Sequence, residues 1–291
     1  MSGDAVSVVF HKMHGCGNDF VFIDNRAMRL GCGAMPVWAR AFCDRKTGVG
    51  ADGIIFIGEA SPDSGCDYRW DFYNSDGSRG GMCGNASRCS CLLAVMLGIA
   101  GHEHAFLTDA GPVAVRLLHR TGGSATVTSR LTRPFGFRSA VLKAGGQERT
   151  VYSLTEGVPH AVVFSDDLEA EDVDGIGRFL RRHAFFAPDG TNVNFVRVDG
   201  RDHITVRTYE RGVEEETLAC GTGSSASAWV CAHLGLTGDA VSVATRGGET
   251  LGVTLEGEDV FLTGAAVHVF TGEIDPGFAL PGTPKKIPSI F

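Results

Sequence analysis

MCGNASRCSCLLAVMLG, residues 82–98, and ACGTGSSASAWVCAHLG, residues 219–235, follow one plan: a Cys-Gly pair, a turn of small residues, an apolar run and a closing Leu-Gly. From each Cys to its closing Gly the spacing is 15, since 98 − 83 = 15 and 235 − 220 = 15. The offset between them, 220 − 83 = 137, also lays Thr108-Asp109-Ala110-Gly111 on Thr245-Arg246-Gly247-Gly248 and Phe72 on Tyr209. Upstream the register drifts, yet GADGIIFI from Gly50 parallels GTNVNFVR from Gly190, and HGCGN ending at Asn18 parallels EGVPH ending at His160. A register kept over tens of residues is the signature of a duplicated unit.

Periodicity outlines each copy. Short alternating or wholly apolar runs, VSVVF, FVFID, GIIFI and WDFY in the first half and TVYSL, HAVVF, NFVRV and ITVRTY in the second, read as strands bounded by Gly, Asp and Asn. After each Cys-Gly lies one apolar segment of helical length, about Ser87 to Leu97 and Ser224 to Leu234, with Gly98 and Gly235 at the C′ position. Both are apolar on nearly every side, so both are expected to be buried. Shorter amphipathic helices are expected from Pro36 to Arg45 and from Gly175 to His183. The fold class is therefore α/β (α+β): two pseudo-symmetric halves, each a curved mixed or antiparallel sheet around a central helix, with the active site in the cleft between them. Residues 1–131 make the half of Cys83 and residues 132–274 that of Cys220, joined in the polar stretch HRTGGSATVTSRLTRP, and the tail 275–291 is expected to return to the first half.

Composition narrows the function. The chain has 291 residues, about two domains' worth. Its net charge is −8, and no lysine or arginine run offers a surface for a nucleic acid or an anionic membrane. The longest apolar run, Leu92 to Gly101, is half of what a membrane span needs, and the first residues carry no basic segment followed by an apolar one. The expectation is a cytoplasmic protein acting on a small molecule. Nine cysteines are an odd count for a disulfide framework. Cys32, Cys43, Cys66, Cys89, Cys91 and Cys231 read as small hydrophobes, and Trp38, Trp70 and Trp229 as core.

Cys83 and Cys220 differ, because a core cysteine has no reason to recur at the same turn of both copies. Each stands just before a helix, where unpaired N–H groups and the positive end of the dipole favour an ionised thiol and attract carboxylates. Gly84, Asn85, Gly221 and Thr222 supply amides with little bulk. Two thiols facing each other across a cleft would place a base on one face of a bound α-carbon and an acid on the other. One thiolate removes the α-proton, the opposite thiol delivers another, and convergent amides stabilise the enolate charge that develops. Such a two-base racemase needs neither metal nor organic cofactor.

The residues also resemble a known family, the diaminopimelate epimerases, over nearly the whole chain. The likeness lies in KMHGCGNDFVFID (Lys12 to Asp24), GVGADG (Gly48 to Gly53), FYNSDGSRGGMCGNASRC (Phe72 to Cys89), TNVNF (Thr191 to Phe195) and YERGVEEETLACGTG (Tyr209 to Gly223). The resemblance implies that Cys83 and Cys220 are the acid/base pair, with His160 and Glu210 beside them to poise the thiols. It implies that Gly84, Asn85, Gly221 and Thr222 hold the reacting α-carboxylate, while Asn18, Asn74, Asn192 and Arg211 hold the distal end of the amino acid. It further implies cofactor-independent conversion of LL- to meso-diaminopimelate, on the route to lysine and peptidoglycan, by a homodimer. Gly53 stands where many members have Gln, and Val158 where many have an Asn that touches the distal end of the substrate. A racemase of another amino acid on the same scaffold, or a non-catalytic binding or redox-sensing module, are the alternatives.

Other motifs carry less. GVGADG is formally G-x-G-x-x-G, but a dinucleotide fingerprint follows a strand and opens a helix, whereas here CDRKT precedes and IIFI follows. Cys89-Ser90-Cys91 and His102-Glu103-His104 have no second ligand pair at zinc spacing. GTGSSAS lacks the lysine of a P-loop.

Overall fold

A computed structural model describes residues 7–274. The expected return of the tail 275–291 to the first half lies outside the described residues, as does Val6 of the VSVVF strand. The described chain forms two compact units: the residues up to Val127 together with those from Ala265 onward, and Thr128–Gly264.

In the first unit the strands are β1 (Val8–Gly15), β2 (Asn18–Asp24), β3 (Gly53–Gly58), β4 (Tyr68–Asn74), β5 (Arg79–Gly80), β6 (Glu103–Thr108) and β7 (Gly111–Thr121), and β8 (Ser124–Leu131) begins there. β1 and β2 pair antiparallel, β2 and β3 parallel, β3 and β4 antiparallel, β4 and β6 parallel, β6 and β7 antiparallel. The helices are the short α1 (Asn25–Met28), α2 (Met35–Cys43) and α3 (Gly84–Met96). Strand alternation sends the two faces of the sheet to different helices. Phe20, Phe22, Ile55, Ile57, Trp70 and Phe106 pack on α3, whereas Val21, Ile23, Ile54, Phe56 and Tyr73 pack on Trp38 and Phe42 of α2.

The second unit repeats this order. After β9 (Phe135–Ala144) come β10 (Gln147–Glu156), β11 (Val158–Phe164), α4 (Val173–Arg181), β12 (Asn192–Gly200), β13 (His203–Tyr209), β14 (Glu216–Thr217), α5 (Gly221–His233), β15 (Ala240–Thr245), β16 (Thr250–Glu256) and β17 (Asp259–Ile274). The pairing has the same sense at each step: β10 and β11 antiparallel, β11 and β12 parallel, β12 and β13 antiparallel, β13 and β15 parallel, β15 and β16 antiparallel. α3 and α5 are 13 residues each and both begin one residue after a cysteine, so the offset of 137 holds at both ends of the helix. Gly98 and Gly235 follow them with φ of 66° and 72°, the left-handed turn expected of a C′ glycine.

Both helices start three residues earlier than the apolar pattern suggests, because their serines are satisfied locally. Ser87 Oγ donates to Cys83 O at 3.0 Å, and Ser227 Oγ to Gly223 O at 2.7 Å. A hydroxyl bonded one turn back lets a serine stand inside a buried helix at small cost.

The pairing corrects two repeat assignments. Gly15 faces Asn18 and Met13 faces Phe20, while Glu156 faces Val158 and Leu154 faces His160. The structural counterpart of Asn18 is therefore Val158, and that of His160 is Phe20, since the turn has two residues in the first copy and one in the second. Similarly Tyr73 faces Arg79 and Tyr209 faces Glu216, so Tyr209 corresponds to Tyr73 rather than Phe72. The second copy has one residue more in that loop. The polar stretch at residues 119–134, where the halves are expected to join, contains the boundary between Val127 and Thr128. It carries the end of β7 and all of β8, with Ala125, Val127, Ser129 and Leu131 buried in alternation. Three core assignments change as well: Cys32 is exposed, Cys66 is half-buried, and Trp229 is half-buried, stacked at 4.8 Å on His233.

Candidate active site

Cys83 is the N-cap of α3, with extended φ/ψ of −147° and 121°. Its Sγ lies 3.6 Å from Asn18 Oδ1, which also accepts from Asn85 Nδ2 at 3.5 Å. The Asn18 amide is oriented from its other end, where Nδ2 donates to Asp52 Oδ2 at 2.6 Å. Asp52 in turn shares Arg45 with Asp19, both at 2.8 Å, and Lys12 reaches Asp19 at 2.5 Å. Burial opposes ionisation of Asp19, but the bonds from Arg45 and Lys12 prevail and hold its carboxyl down at about 2. This charged cluster therefore fixes the amide so that its oxygen, not its NH2 group, faces Cys83. Asn85, first-turn residue of α3, is held by Arg88 Nη2 at 2.7 Å; Arg88 is wholly buried and also binds Gly84 O at 3.2 Å. Asn74 stands apart, exposed at the end of β4 and bonded to Ser78 Oγ at 2.9 Å.

Cys220 is the N-cap of α5, and a backbone donor and a hydroxyl flank its sulfur. Gly223 N–H donates to Sγ at 3.3 Å, and Thr222 Oγ1 is 3.6 Å away. Any side chain at Gly223 would displace a neighbour, since a Cβ would stand 2.3 Å from Asn194 Oδ1 and 3.2 Å from the Cys220 sulfur. Asn194 is wholly buried and ties the helix to its neighbours. It accepts from Thr208 Oγ1 at 3.0 Å, donates to Ala161 O at 3.0 Å, and its Nδ2 lies 3.2 Å from His160 Nδ1. That amide orientation makes Nδ1 the acceptor and puts the imidazole proton on Nε2, which is buried and bonded to no described residue. Burial, reinforced by the Arg211 charge, pushes His160 down to about 3, so it is neutral at physiological pH.

The remaining residues of this unit group around the loop after β13. Asn192 Oδ1 accepts from Arg211 N at 2.7 Å, and the Arg211 guanidinium reaches Asp189 O at 3.1 Å. Burial pushes the Glu210 carboxyl up, against a bond from Thr217 Oγ1 at 3.1 Å. Gly221 touches Leu262, which a Cβ would meet at 3.0 Å.

Sequence reading missed Asp52, Asp19, Arg45, Lys12, Arg88 and Asn194 as supports of the predicted residues. Asn194 was within reach, since alternation along β12 puts it on the same face as Asn192. The charged cluster unites residues from three elements and is visible only in space. GVGADG plays a structural part. Val49 and Gly50 N–H close the end of α2 by donating to Phe42 O at 2.8 and 2.9 Å, and β3 follows. Gly53 cannot carry a longer side chain without displacement, as its Cβ would meet the Phe72 ring at 2.7 Å and Tyr73 O at 2.9 Å. The core reading of Cys43, Cys89, Cys91 and Cys231 agrees with burial that raises each thiol to about 12. No helix among the described residues is long and apolar enough to cross a membrane.

Known proteins match this arrangement in sequence and fold. The family model of diaminopimelate epimerase matches residues 10–131 and 152–269. A diaminopimelate epimerase of Archaeoglobus fulgidus is 42% identical over 275 residues, 91% of this chain and 95% of that protein. One from Aquifex aeolicus is also 42% identical, over 91% of this chain and 97% of its own. Among solved structures, a Bacillus anthracis phenazine biosynthesis protein of the PhzF family is similar with a TM-score of 0.69 at 16% identity, covering 92% of this chain and 99% of that one. A probable proline racemase from Agrobacterium radiobacter gives 0.68 at 15% identity, covering 96% and 98%. At those identities the structural likeness is one of fold, and it agrees with an α/β architecture of duplicated halves.

Proposed function

The chain belongs to the diaminopimelate epimerase family, and from that premise we infer that it is an isomerase interconverting LL- and meso-diaminopimelate by two-base chemistry. The observation that carries the chemistry is the recurrence of a cysteine as N-cap of the central helix in both units. The relatives favour neither a racemase of another amino acid nor a non-catalytic module.

Cys83 and Cys220 are the acid/base pair in this reading, and their surroundings suggest a resting division of labour. An oxygen acceptor, Asn18 Oδ1, beside Cys83 suits a protonated thiol, whereas the donors around Cys220 suit a thiolate. Cys220 then removes the α-proton of one stereoisomer and Cys83 protonates the opposite face; the reverse direction exchanges the roles. The first-turn amides at Gly84, Asn85, Gly221 and Thr222 take the α-carboxylate and stabilise the enolate as it forms. Neutral His160, and Glu210 from the loop after β13, help to poise the thiols. Arg211, Asn192, Asn18 and Asn74 take the distal amino-acid end. The same family reading makes the enzyme a cytoplasmic homodimer, and sedimentation of the purified protein tests the oligomeric state.

The experiment for the activity is incubation in D2O under reductant with a panel of amino acids, following α-deuterium by mass spectrometry. Label is expected in LL- and meso-diaminopimelate and in none of the others. Label in a different amino acid alone would replace the substrate, and no label in any would reject the chemistry.

A further inference from the structure

Glu156 ends β10 in the interior of the second unit, wholly buried, with its Oε1 2.5 Å from Ser225 Oγ. Its Oε2 is buried and bonded to no described residue. A carboxylate there would leave a charged oxygen without a donor, a large desolvation cost. Ser225 lies in the first turns of α5, and its Oγ is also 3.2 Å from Gly221 O and 3.1 Å from Thr222 O. A serine has one proton to give, and three oxygens face it here. If Glu156 carries a proton on Oε1 and donates it to Ser225 Oγ, the serine proton is released to the two helix carbonyls, and the accounting closes.

Those carbonyls belong to the peptide units that matter most for the site. The Thr222 carbonyl is one end of the peptide group whose other end is the Gly223 N–H, the donor to Cys220 Sγ at 3.3 Å. The Gly221 carbonyl is one end of the peptide group whose other end is the Thr222 N–H, one of the amides assigned to the substrate carboxylate. A hydrogen bond to a carbonyl polarises and orients the N–H across the same peptide group. We propose that Glu156, as a neutral carboxylic acid, is a positioning residue for Cys220: through Ser225 it holds the two peptide groups that present donors to the sulfur and to the substrate carboxylate. This rests on the reading of Cys220 as one of the acid/base pair.

Burial raises Glu156 to about 8, outweighing the bond that Ser225 would donate to an ionised carboxylate. The titratable and charged groups on the packed elements are Arg138 and Lys143 on β9, Glu148, Arg149 and Tyr152 on β10, His160 on β11, and Cys220, Cys231 and His233 on α5. None of these ranks among the causes of the Glu156 shift, so burial and the serine set its state. Above pH 8 the acid ionises, the donor to Ser225 is lost and a negative charge lies beneath the carboxylate-binding turn.

Three variants in the full-length enzyme test this: Glu156→Gln, which keeps a neutral donor at every pH, Glu156→Leu and Ser225→Ala. The first readout is the rate at which iodoacetamide labels Cys220 at pH 7, followed by peptide mass spectrometry and independent of epimerase activity. Glu156→Leu and Ser225→Ala are expected to slow labelling about 5- to 10-fold, the effect of losing one aligned hydrogen bond, and Glu156→Gln to recover to within about threefold of wild type. The second is the pH profile of kcat/KM, where an alkaline limb is expected in the wild type and its midpoint is expected to move up in Glu156→Gln. Wild-type labelling rates in Glu156→Leu and Ser225→Ala, or an unmoved alkaline midpoint in Glu156→Gln, would overturn the assignment. If no substrate acquires deuterium, the activity reading falls, and the labelling series still decides for or against the Glu156 relay.

Discussion

His160 and Glu156, 4 residues apart in sequence, are both buried neutral, and they tilt stability in opposite directions with pH. His160 has a folded value near 3 against 6.5 unfolded. The unfolded chain therefore binds the extra proton between those values, and folding is progressively weakened as pH falls below 6.5. Glu156 has a folded value near 8 against 4.5 unfolded. Here the folded chain holds the extra proton, so its contribution is full below 4.5 and is lost as pH rises to 8. Chemical denaturation from pH 4 to 9 is expected to show the acid slope reduced in His160→Gln and the slope toward alkaline pH reduced in Glu156→Gln; unchanged slopes would mean that neither group is neutral as described. If the two thiols act as proposed, Cys83→Ala and Cys220→Ala each lower net inversion by about 10³-fold or more, a typical share for a general acid or base. A single mutant near the wild-type rate would exclude two-base catalysis. The cysteines were legible in the sequence because a repeat marks them. Glu156 was not, because EGVPH gives no sign that its carboxyl reaches a serine 69 residues away on a buried helix.

At the level of elements, two helix starts make different demands. α4 is capped conventionally: Asp172 accepts from Gly175 N–H at 2.9 Å, and Asp174 stands in the first turn. Asp172→Ala is expected to cost about 1 kcal/mol of stability and to leave kcat untouched, as checked by thermal melting and steady-state kinetics. α5 is capped by the Cys220 sulfur itself, so its first turn packs the helix start and, on the proposed function, also presents the acid/base group. Gly223→Ala must displace Asn194 or Cys220, and a shift of that size at the reacting group is expected to lower kcat/KM about 10²-fold with the circular dichroism spectrum preserved. The four longer helices and the eight strands β1–β4 and β10–β13 were readable from periodicity to within a few residues, whereas β5–β9, β14–β17 and the single turn of α1 were not. Nor were the helix starts, because the helix propensity of serine says nothing about a hydroxyl that bonds one turn back. Pairing register was not readable either: a one-residue difference in a turn, as between Gly15–Asn18 and Glu156–Val158, leaves the apolar pattern intact while changing which residues correspond.

The molecule as a whole uses its chain discontinuously, since the first unit is completed by residues from Ala265 onward. β1 pairs along its length with residues up to Ile274, and the Phe10 ring packs where Gly272 has no side chain, edge-on to Phe270 at 5.9 Å. Ending the chain at Gly264 would uncover Val8, Phe10 and Met13, at about 1.5–3 kcal/mol each. Calorimetry is expected to show the transition of the first unit lost or lowered by more than about 10 °C, with that of Thr128–Gly264 retained. Duplication, fold class and the cysteine pair were determined by the sequence alone, because burial, strand alternation and helix capping act between near neighbours and leave periodic marks. Tertiary structure alone decided that Asn18 turns the oxygen end of its amide to Cys83, that the Nδ1 of His160 faces the Asn194 amide, and that Glu156 and Ser225 lie behind the turn of Cys220. Those states depend on desolvation and on hydrogen-bond partners drawn from distant segments, and neither quantity is a local property of the chain.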